Sequence, residues 1–137
     1  MVDGNPTIKV FEDYESFVAE FDKQVASGEK FIVYNTGAKN QCDMDGNCFS
    51  WCPDCDIARP AIKKFLDANA KRTVLIGVVM TKEEWVGVKT HPYKVHPLIK
   101  AAGVPSMVLF EGKQELHRVD DLEQFKNEGL MGMFFED

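Results

Sequence analysis

The sequence predicts an α/β fold, a mixed central sheet with helices on both faces. Three observations carry this expectation. Residues 31–36 and 73–80 are almost continuously apolar, the pattern of strands buried on both faces. Segments with helical periodicity separate the strands, which implies parallel crossovers. Near the end, residues 106–110 and 114–119 flank Glu111-Gly112-Lys113, a hairpin with glycine in its turn. The expected order is β-α-β-α-β-α-β-β-α.

Residues 7–10 alternate and are β-branched, so they open the chain as a short strand. A helix follows over residues 13–27. Asp13 is its N-cap, Tyr14, Phe17, Val18, Phe21 and Val25 form its apolar face, and Gly28 stops it. The strand at 31–36 comes next, then a polar loop over 37–50. A second helix starts near Cys52 and runs to about Ala70, with Ile57, Ala58, Ala61, Ile62, Phe65 and Leu66 as its stripe. Pro60 lacks the amide needed by the preceding turn and should kink it. After the strand at 73–80, residues 81–93 read as irregular. A short helix is expected from His96, with Pro97 in its first turn, burying Leu98, Ile99 and Ala102 and ending at Gly103. Beyond the hairpin, Asp120 or Asp121 caps one last helix, weakened locally by Gly129.

The chain has 137 residues, 45% of them apolar and 28% charged. That suits one soluble globular domain spanning 1–137, with a real core and no repeats. Net charge is −6, which argues against a general nucleic-acid binder. No apolar run approaches the ~18 residues of a membrane span. Residues 1–6 lack a basic region followed by an apolar stretch, and Pro6 disables the single glycosylation-like triplet at Asn5. These features favour the cytoplasm, where cysteines are more often catalytic or metal-binding than structural staples. Residues 37–110 carry ten basic and seven acidic residues, the one net-positive stretch, and hold all four cysteines.

Trp51-Cys52-Pro53-Asp54-Cys55 is the informative segment, because it follows a buried strand and opens a helix. A helix start offers unpaired N–H groups and partial positive charge, both favourable to a thiolate. A Cys-x-x-Cys there can lower the first thiol from about 8.5 toward about 7. Pro53 fits a first helical turn. Such a pair beside a β-α-β pattern reads as redox-active.

This segment resembles the active site of the thioredoxin superfamily. With Pro53 and Asp54 between the cysteines it is similar to the small cytosolic thioredoxin-related proteins, the thioredoxin domain-containing protein 17 group. Tyr34-Asn35-Thr36-Gly37, Pro60, Gly103-Val104-Pro105-Ser106 and the ending Phe134-Phe135-Glu136-Asp137 also resemble that group. The resemblance implies a thioredoxin-like fold and a thiol-disulfide oxidoreductase acting on cystine-like or selected disulfides and oxidised protein cysteines. It implies a monomer with no bound cofactor beyond the Cys52–Cys55 disulfide itself, recharged by NADPH through thioredoxin reductase. In that role Cys52 attacks and Cys55 resolves. Trp51, Val104 and Pro105 border the substrate groove, and the Val104–Pro105 bond is cis.

Two departures accompany the likeness. Ordinary thioredoxins place a buried acid in the second strand as proton acceptor; here Tyr34 stands there, leaving Asp54 or water as candidates. The loop at 37–50 is long and adds Cys42 and Cys48. These read as loop thiols, an accessory redox pair, or half of a four-thiolate zinc site. Residues 43–47 imitate the start of a calcium loop, but Cys48 replaces its glycine and Asp54 its closing glutamate. Two other classes therefore compete with the oxidoreductase: a binding scaffold with little turnover, and a zinc-stabilised interaction domain.

Overall fold

A computed structural model describes residues 7–68 and 72–136. Its central sheet has five strands in the spatial order β1-β5-β2-β6-β7, where β1 is Ile8–Phe11, β2 Lys30–Gly37, β5 Thr73–Val79, β6 Ser106–Glu111 and β7 Gln114–Val119. The strands β1, β5 and β2 run parallel; β6 and β7 are antiparallel additions. The mixed α/β sheet expected from the sequence is the one observed.

Alternation along the central strands sorts the core into two layers. Phe31 and Val33 of β2, with Val108 and Phe110 of β6, face α1 (Tyr14–Ser27) and bury Phe17 and Phe21. Ile32 and Tyr34, with Met107 and Leu109, face α2 (Pro53–Ala68) and pack on Ala58, Ile62 and Leu66. A buried phenylalanine side chain contributes about 2 kcal/mol, so Phe17, Phe21, Phe31 and Phe110 together dominate the first layer. Helix α1 begins and ends as expected. Asp13 accepts the Ser16 N–H at 2.9 Å, and Gly28 closes the helix with φ of 75°.

Several expectations shift. The first strand is displaced by one residue. The loop at 37–50 contains a two-stranded hairpin, β3 (Gln41–Cys42) and β4 (Cys48–Phe49). Helix α2 runs through Pro60; its expected end near Ala70 lies outside the described residues, as do Lys71 and both chain ends.

Residues 81–93 are not irregular. Thr81 and Glu84 form a reciprocal capping box that starts α3 (Lys82–Trp85). The helix expected from His96 is instead α4 (Pro92–Val95), five residues earlier. Two His-Pro pairs could start a helix. The first does, because His91 Nδ1 accepts the Tyr93 N–H at 3.2 Å and Tyr93 is buried against Phe17. The second pair ends it, since Pro97 holds His96 extended. Ile99 and Ala101 are then buried, and Ala102 is exposed.

The final helix is also broken into pieces. Asp121 caps α5 (Leu122–Phe125), Asn127 captures the Leu130 N–H to start α6 (Glu128–Gly132), and a 3-10 turn covers Met133–Phe135. Arg72, which composition would place in water, is buried. It donates to the Phe134 carbonyl at 2.7 Å and to that of Glu136, tying the chain end to β5.

Candidate active site

The site is assembled where β2 ends, α2 begins and the segment before β6 turns back. β2 delivers Thr36 and Gly37, and the chain returns from the hairpin through Ser50 and Trp51 to Cys52. Pro53 is the first residue of α2, as its missing N–H favours. Trp51 is held by its indole N–H, which donates to the Val79 carbonyl at 2.9 Å, so β5 fixes the approach to the helix.

Cys52 and Cys55 are free and buried, with Cys52 7% exposed and Cys55 0%. That difference decides which sulfur a substrate can reach. The Cys55 N–H donates to Cys52 Sγ at 3.2 Å, and the Gly37 N–H donates to Cys55 Sγ at 3.3 Å. Each sulfur therefore has a backbone donor able to hold negative charge. The Cys52 thiol also lies 3.5 Å from the carbonyl of Val104, and the Val104–Pro105 bond is cis. The segment that the resemblance placed opposite the cysteines stands there.

The two thiols share one proton and titrate as a pair. The Cys52 thiol lowers Cys55 to about 7, helped by the nearby Thr36 hydroxyl, the Gly37 N–H and the Arg59 charge. The same contact with Cys55 raises Cys52 above the ordinary thiol range, followed by burial and by the Cys55 charge. The lowered titration belongs to the pair, and the Cys55 N–H gives Cys52 the helix-start donor that the sequence predicts.

Three residues that sequence reasoning passed over support the geometry. Ser50 Oγ accepts the Cys52 N–H at 3.0 Å, and the Ser50 N–H donates to both carboxylate oxygens of Asp56. Arg59 pairs with Asp56 at 2.5 Å. A serine three residues ahead of Pro53 and an aspartate in the first turn are polar groups suited to a helix start, so Ser50 and Asp56 were readable. Arg59 was readable as the i,i+3 partner of Asp56, but its place beside Cys55 depends on the fold. Asp54, by contrast, is exposed, and its charge opposes ionisation of Cys52. The hydroxyls of Tyr34 and Thr36 are buried without full hydrogen bonds beside Cys55, in the position where a carboxylate was expected to be missing.

Cys42 and Cys48 lie apart from this pair. They are joined by a disulfide across the β3–β4 hairpin, so the four cysteines divide into one bridged and one free pair. They do not converge as a four-thiolate centre. The calcium-like segment forms the hairpin turn, where Asp43 Oδ1 accepts the N–H groups of Asp45 and Asn47.

Residues 7–137 match the thioredoxin domain-containing protein 17-like thioredoxin domain. The chain belongs to this family. Thioredoxin-like protein Clot of Arabidopsis thaliana is 33% identical over 125 residues, covering 88% of this chain and 84% of its own. Thioredoxin domain-containing protein 17 of Danio rerio is 30% identical over 120 residues, covering 86% and 89%. Among solved structures, oxidised thioredoxin O1 from Arabidopsis thaliana superposes with a TM-score of 0.60 at 17% identity, covering 95% of this chain and 99% of its own, a likeness of fold. Family membership carries a thiol-disulfide oxidoreductase type of role. No helix among the described residues is long and apolar enough to cross a membrane.

Proposed function

We propose that this family member is a disulfide reductase for cystine-like molecules and selected oxidised protein cysteines, working in the cytoplasm as a monomer and recharged by thioredoxin reductase at the expense of NADPH. One observation carries the reading. The more accessible sulfur, Cys52, sits at a helix start beside the Val104 carbonyl, with its partner buried one turn deeper.

As substrate approaches, the shared proton moves to Cys55 and the charge to Cys52, where the Cys55 N–H receives it. Cys52 attacks one substrate sulfur, the substrate S–S bond breaks, and the other substrate sulfur leaves as a thiolate that takes a proton from water. Cys55 then loses its proton and attacks Cys52 Sγ. The mixed disulfide breaks, the second product leaves as a thiol, and Cys52–Cys55 is oxidised. The Gly37 N–H, the Thr36 hydroxyl and the Arg59 charge remain beside Cys55 after Cys52 is bonded to substrate, and they favour its thiolate in this resolving step. The Val104 backbone is positioned to pair with an extended peptide substrate in the manner of an added strand, and Trp51, Pro53 and Pro105 frame the approach.

The test couples the protein to thioredoxin reductase and NADPH with cystine as substrate. Wild type consumes NADPH in proportion to cystine, and Cys52→Ser abolishes it. A wild-type protein that is reduced by the reductase yet passes no electrons to cystine or to a disulfide peptide overturns the reading in favour of a binding scaffold.

A further inference from the structure

The reaction above leaves the second cysteine pair without a role, although the fold gives it a specific setting. The two sulfurs of Cys42–Cys48 are not equivalent. Cys42 is exposed, whereas Cys48 is half-buried and forms part of the wall of a cleft of about 430 Å³ between the hairpin and α2. Lys39, Arg59 and Lys63 line the same cleft against a single carboxylate, Asp56. Arg59 is paired with Asp56 and Lys63 with Asp67, while Lys39 forms no ion pair among the described residues. The cleft wall thus carries an excess of positive side chains in a chain whose overall charge is −6. Such a cleft concentrates anions, and the attacking form of a thiol is an anion.

We propose that Cys42–Cys48 is a second thiol-exchange site, opened at Cys48 by a carboxylate-bearing thiol of low molecular weight. The thiolate enters from the cleft and bonds to Cys48 Sγ. The Cys42–Cys48 bond breaks, and Cys42 leaves as a thiolate into water, where exposure hydrates it before it takes a proton. A second thiolate attacks the bound thiol's sulfur, forming the small-molecule disulfide and releasing the Cys48 thiolate. Two electrons pass from two small thiols to the protein disulfide. The reverse direction consumes the small-molecule disulfide and restores the bridge. Reversibility makes the hairpin a reporter of the thiol pool, placed four residues before the attacking cysteine.

The test uses a Cys52→Ser/Cys55→Ser background, so that the dithiol site contributes nothing and NADPH turnover is not read. Glutathione is the anionic probe and cystamine the cationic one. Three outcomes are expected. The Cys42–Cys48 bridge opens in millimolar glutathione, followed by intact mass after alkylation. With the partner cysteine changed to serine, Cys48 acquires glutathione from its disulfide at least about fivefold faster than Cys42 does. That preference falls toward unity in high salt, in Lys39→Glu/Lys63→Glu, and with cystamine. Circular dichroism confirms that each variant keeps its fold. A bridge that stays closed, equal rates at the two cysteines, a faster Cys42, or a preference untouched by salt and charge reversal overturns the proposal. The proposed reductase activity stands or falls separately.

Discussion

Two cysteine pairs lie within fourteen residues of one another, and they are built on opposite principles. Cys52 and Cys55 are held by helix α2 and the end of β2, out of water, with a backbone N–H aimed at each sulfur. Cys42 and Cys48 face each other across a hairpin of two-residue strands, with Cys42 exposed and Cys48 on a cleft lined by Lys39, Arg59, Lys63 and Asp56. In the first pair rigid neighbours decide which donor faces each sulfur. In the second, the hairpin register decides that the two sulfurs meet, and the surface field decides which reagents approach. The same residue type thus becomes a dithiol catalyst or an exposed bridge according to what packs around it.

The largest test of this contrast is Cys55→Ser. It should cut cystine turnover at least about a thousandfold and leave substrate trapped on Cys52, because the resolving nucleophile is gone. Mass spectrometry of the quenched reaction reads the adduct. If the corresponding Cys48→Ser were equally inactive, the two pairs would have to act in series.

Glycine substitutions separate the regions by stability. A Cβ at Gly37 would meet Ser50 Oγ at 2.7 Å, the Trp51 ring at 2.9 Å and Cys52 Cβ at 3.0 Å. Gly37→Ala should destabilise by about 1–3 kcal/mol and lower activity with it. Gly46, in the hairpin turn, has φ of 86° with open space around it. Gly46→Ala should cost about 1–2 kcal/mol through the backbone alone and leave turnover intact. Thermal melts and the coupled assay distinguish the two.

Proton linkage sharpens the contrast further. In the reduced protein, Cys55 is lowered to about 7 by its contact with Cys52. A thiol that ionises more easily in the folded state stabilises that state above the ordinary thiol range, and the gain disappears as pH falls through about 7. Cys52 is raised, so its contribution has the opposite sign: full below the ordinary thiol range and lost as pH climbs beyond it. The melting temperature of the reduced form should therefore rise from about pH 6 to about pH 8.5 and then turn down. Oxidising Cys52–Cys55 should remove both limbs, while the bridged hairpin pair contributes neither. A reduced form with a flat profile would show that the sulfurs do not share a proton.

The smallest expected effect is at Asp54, whose charge opposes ionisation of Cys52. Asp54→Asn should speed alkylation of Cys52 near neutral pH about twofold. An unchanged or slower rate would mean that water screens this exposed carboxylate completely.

Some elements were legible because their signal is local. Strands β2 and β5 announce themselves as apolar runs, and α1 carries its own stop and start in Asp13 and Gly28. The Cys-x-x-Cys pair was readable from its place at a helix start. The Thr81–Glu84 capping box was also written in the sequence, but a two-residue signal is easily passed over when the helix it starts has only four residues. The register of the β3–β4 hairpin, the choice between two His-Pro pairs and the burial of Arg72 depend on partners far along the chain. Periodicity does not encode such partners.

By itself, the sequence determined the alternation of strands and helices, the two-layered core and the identity of the dithiol, because apolar spacing and helix-start chemistry act between near neighbours. Only the tertiary structure decided which donor reaches each free sulfur, which of them lies nearer solvent, and that Cys42 joins Cys48. Those outcomes depend on burial, on Gly37 and Val104 arriving beside the cysteines, and on a hairpin register, all of which arise when distant segments share one low-dielectric space.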